Sequence, residues 1–114
     1  MPIIFKICPA PLWREAEDAG KFRGSPVDIK DGFIHFSTAA QAVETAAKHF
    51  AGQADLVLVR VDAGRLGSML KWEPSRGGAL FPHLYGELPL TAVVWSRPLP
   101  LADDGRHRFG SLSQ

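Results

Sequence analysis

One cysteine, Cys8, occurs in 114 residues. An internal disulfide is therefore excluded, as is a zinc site built on cysteine pairs, and the reducing cytoplasm is the expected compartment. Long apolar runs are missing too. The opening PIIFKICPAP is interrupted by Lys6 and Pro9, so it predicts neither the apolar core of a secretory signal nor the ~20 apolar residues of a membrane span. Neither sign of charge prevails, with 13 Lys and Arg against 12 Asp and Glu and a net charge of +1. That balance supplies no global field to attract nucleic acid or an anionic membrane. The short basic run RHRF (residues 106–109) has no aromatic platform beside it and reads as a solvated terminus. GxGxxG and GxxxxGK[ST] are both absent, and no HExxH-like spacing suggests a metal.

What is present suits one globular domain. Hydrophobic residues make up 46% and charged residues 22%, enough apolar material for a single modest core. Residues 1–102 are expected to form that domain and the polar residues 103–114 a fraying tail. Residues 3–7 read as a strand, and Pro11 suits the first turn of a helix ended by Gly20. Ser-Pro and Asp-Gly mark residues 24–32 as turns, followed by a strand at 33–37. Thr38 with Gln41 forms a capping box ahead of Ala42, Val43, Ala46, Ala47 and Phe50, a helical spacing that Gly52 ends. Residues 56–61 form an apolar run suited to a central strand, with further strands predicted at 69–73 and 90–95 and an edge extension at 97–100. With its helices early and its strands late, the order predicts an α+β fold.

Two segments carry the candidate chemistry. In GFIHFST (residues 32–38), strand alternation puts Phe33, His35 and Ser37 on one face, just before the N-terminus of a helix that can hold an anion. His35 can bond a ligand or move a proton there, and it can equally be a half-buried histidine bonded to a carbonyl. In FPHLYGEL (residues 81–88), the same alternation aligns His83, Tyr85 and Glu87. KWE (residues 71–73) offers Glu73 as a second carboxylate beside a glycine-rich loop. Either glutamate is a candidate to stabilise a developing cation, and either is equally an ordinary surface charge.

The segments GFIHFSTAAQ, DLVLVRVD, LKWE and FPHLYGELPL together resemble the domain of unknown function 952 family over residues 3–95. The resemblance implies a fold similar to the ADP-ribosyltransferase superfamily, in which NAD is clamped between two small orthogonal sheets, here with two helices in the N-terminal half. Carried over, the resemblance implies Lys6, His35 and Glu87, with Glu73 in reserve; joined to the residues of the two segments, the expected ligand-holding set is Lys6, His35, Ser37, Thr38, His83 and Tyr85, and the expected catalytic set His35 with Glu73 or Glu87. The expected function is binding of NAD or a related small nucleotide, with ADP-ribosyl or related glycosyl transfer. The alternative is a non-catalytic module that holds a small molecule or a peptide.

Overall fold

β-Branched and aromatic side chains open the chain, and β1 (Ile3–Pro9) is buried along most of its length. Pro11 sits in the first turn of α1 (Ala10–Ala19), where a missing N–H costs nothing, and Gly20 ends that helix in the left-handed conformation. The chain is described here by a computed structural model covering residues 2–112. β2 (Lys21–Phe22), α2 (Pro26–Asp31) and β3 (Ile34–His35) follow, then α3 (Ala39–His49). The remaining chain supplies β4 (Leu56–Asp62), β5 (Leu70–Pro74), β6 (Leu80–Leu84), β7 (Leu88–Pro89) and β8 (Val93–Leu99).

Among the described residues these strands make three small antiparallel sheets, ordered β1-β4-β8, β2-β7 and β3-β6-β5. The fold is α+β. As its apolar run implies, β4 lies in the middle of its sheet and buries both faces. Val59 and Val61 pack with Ile4, Cys8 and Trp13, while Leu56 and Leu58 pack with Phe5, Ile7, Ala42 and Ala46. Thus α1 covers one side of the sheet and α3 the other.

Several features differ from the sequence reading. Two sheets were expected, and a separate β2-β7 ribbon makes a third; two helices were expected, and a third occupies the region read as turns. That helix, α2, begins at Ser25 with a capping box in which Ser25 and Asp28 satisfy each other's backbone, so Ser-Pro here starts a helix. Leu90–Ala92 is a 3-10 turn, and the last strand starts at Val93. The segment read as a tail carries contacts of its own. Leu101 bridges His107, Arg97 donates to the carbonyls of Phe109 and Ser111, and Phe109 and Leu112 pack against the α3 side of the core. Residues 113 and 114 of that segment lie outside the described residues.

One join positions the site. After β3 the chain crosses to the first sheet, where Phe5 and Ser37 exchange backbone hydrogen bonds at 2.7 and 2.9 Å. The GFIHFST segment therefore spans two sheets, with a cleft at the seam.

Candidate functional site

Antiparallel register sets His35 of β3 directly opposite His83 of β6. Paired residues share a face of the sheet, and the two rings lie 5.6 Å apart, close to edge-on. Phe33 projects beside them, stacked on His83 at 4.1 Å and tilted against His35 at 4.6 Å and Tyr85 at 5.3 Å. The predicted alternation holds, for Ile34 and Phe36 are buried while His35 is partly exposed.

His35 stands between two carboxylates. Its Nδ1 is 2.6 Å from Oδ1 of Asp28 and its Nε2 is 2.9 Å from Oδ2 of Asp31. Asp28 is fully buried and accepts from every side. The Ser25 backbone N–H and hydroxyl each donate to it at 2.8 Å, the His35 backbone N–H at 3.1 Å, and Lys6 Nζ stands 2.8 and 3.0 Å from its two oxygens. Lys6 also donates to the His35 carbonyl at 3.1 Å. Burial by itself pushes the Asp28 carboxyl up. The hydrogen bond from His35 and the charge of Lys6 outweigh that and hold it well below the usual carboxylate range. Gly24 makes the enclosure possible: with φ at +114°, a Cβ there would stand 2.8 Å from the Asp28 Cβ.

The second histidine has a different setting. His83 Nδ1 lies 2.8 Å from Oε1 of Glu73, and the Tyr85 hydroxyl donates to the same oxygen at 2.8 Å. These bonds, His83 first, lower the Glu73 carboxyl, and donation to Glu73 raises the Tyr85 phenol. Glu73 comes from β5, two residues beyond Lys71, which pairs with His83 in the register.

A cavity of about 460 Å³ opens at the seam. Its polar wall includes Lys6, Ser25, Asp31, His35, Ser37 and His83, and Phe5, Phe36, Phe50 and Phe81 with Ile7 and Val27 form the apolar part. A mostly apolar cleft with a few convergent polar groups is the usual form of a small-molecule site. Among the described residues, no group of three His, Cys, Asp or Glu could hold a metal ion.

The structure brings most of the predicted residues together. Lys6, His35, Ser37 and His83 line the cavity, and Glu73 with Tyr85 joins the cluster through His83. Thr38 plays a different part: its Oγ1 accepts from Gln41 N at 3.2 Å and its own N–H donates to Gln41 Oε1 at 3.0 Å. The capping box thus occupies backbone donors that an anion at this helix end would otherwise take. Glu87 is not brought to the histidines. It pairs with Lys21 at 3.3 Å and Arg23 at 3.0 Å on the exposed side of the β2-β7 ribbon. Past Tyr85 the chain turns at Gly86, whose bare Cα lies against Met69, so the alternation of FPHLYGEL does not carry through to Glu87. Asp28 and Asp31 are the residues that sequence reasoning missed. For Asp28 the signal was Ser25 three residues earlier, a capping-box spacing hidden behind the Ser-Pro turn.

Residues 7–96 match the family described as protein of unknown function (DUF952). Among solved structures, the crystal structure of protein CC0527 from Caulobacter crescentus superposes with a TM-score of 0.91 at 52% identity, covering 95% of each chain. A crystal structure of a double mutant of that protein gives 0.90 at 50% identity, again covering 95% of each. Its solution NMR structure gives 0.85 at 52% identity, covering 96% of this chain and 95% of that one. No curated protein matches the chain. With most of its length matched in sequence and nearly all of it in structure, the chain belongs to the DUF952 family of proteins of unknown function.

Proposed function

We propose that the seam cleft binds the ribose of a nucleotide of the NAD class and acts in ADP-ribosyl or related glycosyl transfer, within an ADP-ribosyltransferase-like form of this α+β fold. One observation carries the reading: His35 and His83 face each other across β3 and β6, each with its Nδ1 on a carboxylate, and both line one cavity of about 460 Å³.

The lining suits the ribose end of such a ligand better than its phosphates. Among the described lining residues Lys6 is the only lysine or arginine, and Asp28 already neutralises it. Hydroxyl and imidazole groups of Ser25, Ser37, His35 and His83 match sugar hydroxyls, and the phenylalanine wall accepts a flat ring. When bound, NAD supplies an activated carbon–nitrogen bond at ribose whose rupture leaves positive charge on the sugar. Glu73 provides negative charge next to His83 and, still reaching water, can turn from its His83 and Tyr85 partners to face that charge at small cost. His35 orients the sugar, and Tyr85 keeps Glu73 beside His83 when no ligand is bound. Glu87, engaged by Lys21 and Arg23, is the weaker candidate for the carboxylate.

Thermal unfolding of the protein with NAD, ADP-ribose and AMP tests the binding, because a ligand of the folded state raises its apparent stability. NAD is expected to raise the midpoint, and His35→Ala to abolish both that shift and any NAD turnover while remaining folded. The absence of a shift with all three ligands would turn the assignment to a non-catalytic cleft for another small molecule or a peptide. Turnover unchanged in His35→Ala would reject the role of His35.

A further inference from the structure

We infer that Asp28 is the positioning residue of the cleft: it locks His35 with its proton on Nδ1, so that His35 exchanges protons and ligand hydrogen bonds through Nε2 alone. This rests on the reading of His35 as a ligand-facing group and deepens it by naming the working nitrogen. A carboxylate can only accept hydrogen bonds while it is ionised. Asp28 is enclosed by donors from three elements: Lys6 of β1, Ser25 at the start of α2, and both the backbone and the ring of His35 in β3. Each of them favours the ionised form. Carboxylate oxygens face both ring nitrogens, but only the Asp28 oxygen, at 2.6 Å from Nδ1, is buried and fixed by other donors; when the ring is neutral its one proton therefore stays on Nδ1, and Nε2, whose partner Asp31 reaches solvent, is left as the acceptor.

The two sides of the ring differ in access. Asp28 is buried, whereas the Asp31 side chain facing Nε2 is 41% exposed and lines the cavity. A ligand can therefore displace Asp31 from Nε2 and cannot displace Asp28 from Nδ1. Lys6 completes the device by bonding both Asp28 and the His35 carbonyl, which ties the orientation of the ring to the strand that carries it. A buried carboxylate that orients a histidine in this way acts through the histidine and does not touch the ligand.

Long-range ¹H–¹⁵N NMR of the histidine rings in the free protein tests this directly. The wild-type His35 signals are expected to show a protonated Nδ1 whenever the ring is neutral, and Asp28→Asn is expected to give a mixture of tautomers while the His83 pattern stays unchanged. With NAD as the probe, affinity in Asp28→Asn should fall about tenfold. An Nε2-protonated neutral His35 in the wild type would overturn the proposal, as would an unaltered His35 pattern in a folded Asp28→Asn. Should Asp28→Asn not fold, the wild-type spectrum alone decides. The ring measurement needs no ligand, so a failure of NAD to bind leaves this result intact and counts only against the proposed function.

Discussion

His35 and His83 face one another, and each has a carboxylate on Nδ1, yet their surroundings are opposites. Around His35 the carboxylate is buried, collects donors from three elements and is neutralised by a buried lysine. Around His83 the ring itself is buried, but Glu73 and Tyr85 lie toward solvent. Burial decides what such a pair can do. A charge taken out of water must keep its partners, because losing one leaves an uncompensated ion in a poorly polarisable interior. A carboxylate that still reaches water can change partners at small cost, which is what a group meeting a ligand requires. The His35 side is therefore a rigid mount and the His83 side an adaptable one.

Removing the lysine should break this contrast most severely. Lys6→Met leaves Asp28 buried without its cation, and urea unfolding is expected to show a loss of about 3–5 kcal/mol. The double variant Lys6→Met, Asp28→Leu should lose clearly less than the sum of the two single changes, since the pair is coupled. A loss under ~1 kcal/mol in Lys6→Met would put this pair among surface ion pairs and erase the distinction.

Acid unfolding should be the next largest effect. The Asp28 carboxyl lies lower in the folded protein than in the unfolded chain, so its contribution is complete above the ordinary carboxylate value near pH 4 and disappears as pH falls toward the folded value. Wild-type stability is expected to decline progressively below about pH 4, and in Asp28→Asn that decline should flatten. Equal acid limbs in the two proteins would show that Asp28 does not govern acid stability.

On the His83 side stability should barely respond. Glu73→Gln is expected to leave the urea midpoint within measurement error while altering the His83 ring signals in NMR and removing any NAD turnover. A midpoint shift as large as that of Lys6→Met would mean that both histidines sit in rigid mounts.

Much of the scaffold was legible in residue patterns. The apolar run of β4, broken only by Arg60, announced a strand buried on both faces, and Thr38 with Gln41 announced the start of α3, since both rest on interactions a few residues long. Alternation also put Phe33 and His35 on one face, and the register then delivered His83 to it. Glu87 lies apart from the histidines because the alternation of FPHLYGEL does not continue past Gly86, where the chain turns. Asp28 was missed because its partners, Lys6 and His35, lie 22 and 7 residues away. Nothing near Asp28 in the chain shows that it will be buried.

By itself the sequence determined the α+β class and the extents of β1, α1, α3 and β4 to within a few residues, and it singled out the two histidine motifs as candidates for a site. These depend on local spacing, on proline and glycine, and on short-range capping. Only the tertiary structure decided that the motifs meet face to face, which carboxylate each histidine receives, and that one of those carboxylates is sealed from water. Those outcomes depend on strand register and on burial, which arise when distant segments pack and are encoded in no single stretch of the chain.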